Sequence, residues 1–402
     1  MRYASVTDRL AGLGAEKWHV HFRAQEKARR GEKVLFLSIG EPDVSPPAAV
    51  IDEAVKQLRA GRTKYSNGRG ERIILDAVAK KYSARRLEPV SPDQIIFLPG
   101  TQTALYASMM TLAEAGDEVL VPEPYYVTYD GVVASTGAKL VPVKLDPADR
   151  FHLTPAALER AITPRSRVLL LNSPSNPTGA VLTRAEIEAI GAVCRKHDLW
   201  IVSDEVYSDL VFDGHTFASP FDVPDLADRT VVVSSVSKSH AMTGYRAGWA
   251  IGPLEFTDKL QAIAEVMLFG SPPFIQDAAA FALTHDFAEV KAARDAYEHR
   301  ARMIVDALAN QPGLSCRMPE GGMFVFVDVR RSGLTGEMYA LELLDDENVA
   351  VMPGEVFGAA GAGHIRIGLT VPDAILEEAL ERIVRFAGKL ARSKQHSTRP
   401  GD

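Results

Sequence analysis

At 402 residues the chain is too long for one small core and suits about two domains. Its 46% hydrophobic and 24% charged residues make the balance of a water-soluble globular protein, and a formal charge of −7 argues against a nucleic-acid partner, which would leave a basic footprint. No apolar run approaches the ~20 residues of a membrane span, and the opening residues Arg2, Asp8 and Arg9 bracket no apolar signal core, so the expected location is the cytoplasm.

Along the chain, Pro42, Pro46 and Pro47 mark a loop where the N-terminal segment crosses between domains. From there to the middle of the chain, short apolar runs alternate with helical patterns. The expected strands are 95–98, 118–121, 139–143, 168–172, 200–204, 231–235 and 247–251, with helices at 101–113 and 183–197 among them. Near-continuous apolar strands interleaved with helices predict an α/β fold, a mostly parallel sheet covered by helices on both faces. The C-terminal third changes character. A charged helical pattern at 287–310 precedes short strands at 323–329, 349–352 and 364–369, and a last helix starts at 373, which reads as a smaller α+β layer. The expected organisation is a large domain over 46–286 and a small domain from 1–45 and 287–390. A polar, aperiodic tail over 391–402 is expected to be disordered. The two cysteines, Cys194 and Cys316, lie far apart in no metal-ligand spacing, which fits a reducing compartment with neither a disulfide framework nor a metal site.

Polar residues recur where the expected strands end, and in open α/β sheets ligands sit beyond those ends. Pro99-Gly100-Thr101-Gln102 joins a strand to a helix, a turn suited to holding phosphate on free N–H groups or to serving as a plain tight turn. Asn172-Ser173-Pro174-Ser175-Asn176-Pro177-Thr178-Gly179 builds a rigid loop that aims amide side chains. Asp204 ends an apolar strand, where a carboxylate is costly unless paired; a pyridinium nitrogen is one such partner, and a helix N-cap is the competing use. Tyr207 follows within reach of a ring oxygen. Ser234-Ser235-Val236-Ser237-Lys238, with Arg246 beyond Gly244, brings together an amine for an aldehyde and hydroxyls and a guanidinium for a phosphate. Arg366 sits among alternating apolar residues. It is either paired to a protein carboxylate or free for a ligand carboxylate, and the pattern alone favours the protein pair.

Taken in order, Gly40-Glu41-Pro42-Asp43, Asn176-Pro177-Thr178-Gly179, Ser203-Asp204-Glu205-Val206-Tyr207 and Ser235-Val236-Ser237-Lys238 with Arg246 resemble the class I aminotransferases, pyridoxal-phosphate enzymes of the aspartate-aminotransferase fold. The resemblance implies that Lys238 forms the Schiff base (aldimine) with pyridoxal 5'-phosphate and shuttles the proton. It implies that Asp204 pairs with the pyridinium nitrogen, that Asn176 and Tyr207 contact the ring oxygen, and that Tyr126 stacks on the ring. Gly100, Thr101, Gln102, Ser235, Ser237 and Arg246 match the phosphate cup, Arg366 the clamp for the substrate α-carboxylate, and Gly40 the backbone against the substrate. Tyr65 resembles the tyrosine lent to a neighbouring subunit's phosphate, which implies a homodimer with shared active sites. The implied reaction is ping-pong transfer of an amino group between amino acids and 2-oxo acids. Ser239-His240-Ala241-Met242-Thr243-Gly244, the 269–277 segment and Gly321-Gly322-Met323-Phe324 look most like the arginine–pyruvate transaminase branch. Aspartate or aromatic amino-acid transamination, or β-elimination on the same fold, are the alternatives, because a fold does not dictate which bond to Cα breaks.

Overall fold

The computed structural model describes residues 1–397, with side chains through Ser393. Its strands in chain order are β1 Leu35–Phe36, β2 Ile95–Leu98, β3 Glu118–Glu123, β4 Lys139–Lys144, β5 Ser166–Asn172, β6 Trp200–Asp204, β7 Thr230–Ser235, β8 Gly248–Ile251, β9 Ser315–Cys316, β10 Phe324–Asp328, β11 Val349–Ala350, β12 Met352–Pro353 and β13 His364–Gly368. Seven of them form one sheet in the order β2-β8-β7-β6-β5-β3-β4. The pairs β3–β4, β3–β5, β5–β6 and β6–β7 are parallel, while β8 runs antiparallel to both its neighbours. The mostly parallel α/β sheet expected from the apolar runs is therefore present.

Its strands lack the hydrophobic–polar alternation of a half-exposed sheet because both faces are dry. Val231 and Val233 pack under the helices Gly100–Leu112 and Leu254–Leu268, whereas Val232 points into the opposite layer with Trp249 and the helices Arg72–Ser83 and Pro273–Thr284. A further core beside that opposite layer joins Leu169, Leu171 and Ile201 to the helix Arg184–Lys196.

A second, four-stranded sheet has the order β12-β13-β10-β9, and β1 pairs with β11. Its core gathers Val20, Leu35 and Leu37 from the N-terminal segment with the helices Ala288–Leu308, Gly336–Glu347 and Asp373–Ser397. Two expectations change. The strand expected over 349–352 breaks at buried Val351, since Ala350 pairs with Phe36 while Met352 pairs with Arg366 in the other sheet. The tail expected to be disordered from 391 instead continues the last helix through Ser397. Ala391 and Arg392 favour a helix, and the Ser393 hydroxyl bonds back to the carbonyls of Lys389 and Leu390 at 3.3 and 2.9 Å. Residues 398–402 of that expected tail lie outside the described residues. No helix among the described residues is long and apolar enough to cross a membrane, and no group of three or more His, Cys, Asp or Glu among them could hold a metal ion.

One close approach ties the sheet to the helix start that follows β2. A Cβ on Gly248 would sit 2.6 Å from the Gly100 carbonyl carbon and 2.8 Å from the Ser234 oxygen, and neither backbone can step aside. Gly248→Ala should therefore lower stability by about 1–3 kcal/mol, read as a lower urea midpoint at unchanged slope.

Candidate active site

The ends of β5, β6 and β7 lie side by side, and each delivers one chemical group. Asn172 closes β5 and folds the next loop back on itself: its amide donates to the Asp204 carbonyl at 3.0 Å and its oxygen accepts the Asn176 N–H at 2.8 Å. That leaves the Asn176 amide facing inward, where it donates to the Tyr207 hydroxyl at 3.5 Å. Asp204 ends β6 in full burial. Burial pushes its carboxyl up to about 6, opposed by the Tyr129 hydroxyl that donates at 2.7 Å and by the Val206 N–H at 3.2 Å. The carboxylate is thus held in place from behind and aimed into the site.

Beyond β7, Lys238 reaches the carbonyl of Gly40 at 2.7 Å. Burial depresses its amine to about 8; Glu41 raises it, and the charges of Arg366 and Arg246 lower it again. A lysine in that range is partly neutral near physiological pH and is therefore nucleophilic. Next to it Ser235 accepts the Thr101 hydroxyl at 2.9 Å and the Ser237 N–H at 3.3 Å. Arg246, in a left-handed conformation at φ 53°, donates to the carbonyls of Thr243 and Pro99, at 2.8 and 3.3 Å. Its guanidinium lies against Gly100, where a Cβ would come within 2.3 Å of Nη2 and the backbone has φ +82°. No carboxylate among the described residues pairs with Arg246. Hydroxyls, a helix start and an unpaired guanidinium in one place form a receptor for a doubly charged anion.

Arg366 is the least expected charge in the molecule. It is 1% exposed on β13, donating from Nη1 to Asn176 Oδ1 at 2.9 Å and from Nη2 to the Ser38 carbonyl at 2.8 Å. Its plane lies 4.0 Å from the centre of the Phe324 ring, and Nε is buried without a partner. The protein pair favoured by the sequence pattern is absent: no carboxylate among the described residues reaches it, and burial lowers its pKa to about 10. A buried cation so arranged is expensive unless a ligand brings the anion.

Apart from Gly100, which lies against Arg246, and Tyr65, every residue to which the family resemblance gives a cofactor or substrate role lines one cavity of about 310 Å³. Tyr126 and Gln102 stand in its wall, and the Gln102 oxygen accepts the Thr128 hydroxyl at 3.0 Å. Tyr65 is 89% exposed, with its ring 5.8 Å from that of Phe269. Sequence reasoning passed over Tyr129, which orients Asp204, and did not place Trp18, Thr243 and Phe324 in the cavity wall. Tyr129 carries one usable signal: a tyrosine so close to an aromatic assigned to a site, in a segment that must be buried, needs a partner for its hydroxyl.

Residues 32–383 match the family of class I and II aminotransferases. The chain is 45% identical over 390 residues to an arginine–pyruvate transaminase of Pseudomonas aeruginosa, covering 97% of this chain and 99% of that one. It is 35% identical to an aspartate aminotransferase of Geobacillus stearothermophilus, covering 90% and 94% of the two chains. Among solved structures, the aspartate aminotransferase of Thermus thermophilus with maleate superposes with a TM-score of 0.90 at 33% identity, covering 96% of this chain and 100% of that one. An aromatic aminotransferase of Pyrococcus horikoshii gives a TM-score of 0.86 at 32% identity, covering 91% and 99%. The agreement extends over nearly the whole length of each relative, and the chain belongs to the class I and II aminotransferases, a family of pyridoxal-phosphate-dependent transaminases.

Proposed function

We propose that this transaminase takes its amino group from L-arginine and passes it to pyruvate or a similar 2-oxo acid. The observation that carries the α-carboxylate part of this reading is Arg366, a buried guanidinium with no protein carboxylate and an unpartnered Nε. Amino acid and 2-oxo acid share the α-carboxylate, so one clamp serves both in turn. The arginine part rests on charge. The cations lining the cavity are Lys238, Arg246 and Arg366, each with a use already, so none is left for a side-chain carboxylate. Its carboxylates are Asp204, on the floor, and Glu41, which accepts the Thr243 hydroxyl at 2.9 Å at the exposed mouth. Glu41 is thus the group to meet a guanidinium there. The 45% identity to a protein named for arginine and pyruvate points the same way.

The donor set fits pyridoxal phosphate. Gly100, Thr101, Gln102, Ser235, Ser237 and Arg246 would hold the phosphate, and the space kept by Gly100 beside Arg246 is a cradle that any Cβ would fill. Asp204 would face the ring nitrogen, Asn176 and Tyr207 the ring oxygen, and Tyr126 the ring face, while Lys238 would bond the aldehyde covalently. When bound, the cofactor supplies an electrophilic carbon for the amino group and a cationic ring that stabilises negative charge developing at Cα. Asp204, whose charge the Tyr129 bond supports against burial, would hold that ring cationic. Lys238 Nζ takes the proton from Cα and returns it on the other side of the transfer, a task suited to an amine near pKa 8. Arg366 and Asn176 orient the carboxylate so that Cα faces that nitrogen. Residues 46–286 would form the cofactor domain and 1–45 with 287–390 the smaller one. Tyr65 would serve the neighbouring subunit of a homodimer, and the free thiols of Cys194 and Cys316 suit a reducing cytoplasm.

Arg366→Ala should reduce kcat/KM about 10²–10³-fold for the amino acid and the 2-oxo acid alike, since truncating one partner of a buried charge pair costs about 3–4 kcal/mol. Loss with one substrate only would end the shared-clamp role. Glu41→Gln should lower kcat/KM for L-arginine about tenfold and leave L-alanine within about twofold, as expected for one charged hydrogen bond. Arginine inert beside an active aspartate would refute the arginine reading instead. In the apoprotein, the rate of pyridoxal phosphate uptake should rise about tenfold per pH unit and level off near pH 8, because only the neutral Lys238 amine attacks. A rate still climbing past pH 10 would contradict the depressed amine.

A further inference from the structure

His152 stands outside the catalytic cavity, yet both its ring nitrogens meet carboxylates. Nδ1 lies 2.8 Å from Glu186 Oε1 and Nε2 lies 2.9 Å from Glu320 Oε2, with His152 and Glu320 nearly fully buried. A neutral imidazole has one N–H and would turn its other lone pair onto an oxygen that can only accept. The geometry therefore requires an imidazolium, a cation shared by two acids from different parts of the chain. The hydrogen bond to Glu320 raises His152 above its ordinary value despite burial. Burial works against the two acids, but bonds from Thr183 and His152 hold Glu186 below its usual range, and those from His152 and Val181 do the same for Glu320. The charged groups facing the ring are Glu186 from the helix Arg184–Lys196, Glu320 from the segment before β10 and, behind Glu320 at 2.9 Å, Arg150 from its own turn. The backbone of that turn is left-handed at both Arg150 and Phe151, at φ 56° and 59°, an uncommon pairing that surrounding contacts must hold in place.

What the clamp grips is the active-site loop. Glu320 Oε2 also accepts the Val181 N–H at 2.8 Å, and the N–H groups of Glu320 and Gly321 donate to the Gly179 carbonyl at 3.0 and 3.1 Å. The Gly179 N–H returns to Ser175 at 2.8 Å and the Ser175 N–H to Ala180 at 2.9 Å, so the turn around Asn176 is closed on itself, and Glu320, with its neighbour Gly321, pins it from the segment before β10. Asn176 in turn holds Arg366. We propose that His152 is a positioning residue: by bridging Glu186 and Glu320 as a cation it fixes the Asn176 loop, and through Asn176 it fixes the guanidinium that receives the substrate carboxylate. The proposal rests on Arg366 being that receptor.

The test is steady-state kinetics of the holoenzyme against pH, with His152→Gln and Arg366→Ala measured beside the native protein. His152→Gln keeps a neutral hydrogen bond and loses the charge. It should raise KM for the amino acid and the 2-oxo acid about tenfold while kcat changes by less than about threefold. The native protein should show KM rising on the alkaline side as the imidazolium loses its proton, and His152→Gln should lack that rise. His152→Lys, which restores a cation toward Glu320, should recover part of the affinity. A lower melting temperature with unchanged KM values would overturn the proposal, as would the same alkaline rise in the variant. Arg366→Ala separates the two readings: both KM values raised there but not in His152→Gln removes the positioning role and leaves the clamp standing. Should His152→Gln fail to fold, Glu186→Gln takes its place, with a smaller KM rise expected and an unchanged KM counting against the proposal.

Discussion

Two guanidinium groups that no carboxylate among the described residues pairs, buried Arg366 and exposed Arg246, govern this site. Arg366 and Arg246 are held by carbonyl oxygens, an amide oxygen and ring faces, all of which orient a cation without neutralising it. Pairing either one to an aspartate would make the fold more comfortable and remove the receptor. The large sheet and the small sheet, each with its own dry core, supply the stability that the buried, unpaired charge of Arg366 draws down.

The same imbalance sets the chemistry at Lys238. Desolvation and two nearby cations press its amine down, while Glu41 and Asp204 pull it back up. Asp204 faces the mirror-image problem, since burial favours its neutral acid and only Tyr129, Val206 and the Lys238 charge oppose this. Removing the Tyr129 hydroxyl, which bonds the Asp204 carboxylate, would therefore reach the lysine through that carboxylate.

The large sheet was legible because its strands are apolar runs of strand length bounded by polar turns, and seven of them appear within a residue or two of where the pattern put them. The chemical residues were legible because they cluster at strand ends and carry family motifs. What escaped notice lacks a periodic signal. The strand Leu35–Phe36 is two residues long and exists only through its pairing with Val349–Ala350. The helix Ala48–Arg59 starts straight after Pro47, so its prolines read as loop although one of them opens a helix. Tyr129 and His152 have partners 75, 34 and 168 positions away, and nothing local in the sequence announces them. At Arg366 the local pattern and the family motif pointed apart: most buried arginines find a carboxylate, the motif left this one free, and among the described residues none reaches it.

The distance between the Lys238 amine and the Arg366 guanidinium is set by a short stretch of backbone. Successive carbonyls from Leu37 to Gly40 each accept from a different group: Leu37 from the Gly368 N–H at 2.8 Å, Ser38 from Arg366 at 2.8 Å, Ile39 from the Thr370 hydroxyl at 2.9 Å and Gly40 from Lys238 at 2.7 Å. The segment therefore lies along β13 and ends on the lysine that follows β7, linking the two sheets by hydrogen bonds alone. Gly40 can carry no side chain there, because a Cβ would fall 2.3 Å from the Phe324 ring that backs Arg366. Just beyond it Arg300 binds Asp43, Asp373 and the Leu369 carbonyl, which stops the strap from sliding along the strand. A substrate that places its carboxylate on Arg366 thus meets the lysine at a separation fixed by four consecutive carbonyls, and reach beyond Cα is left to the mouth, where Glu41 follows Gly40 by one residue. On the proposed reading, selectivity for the amino-acid core and selectivity for its side chain would be written into adjacent residues of one strap.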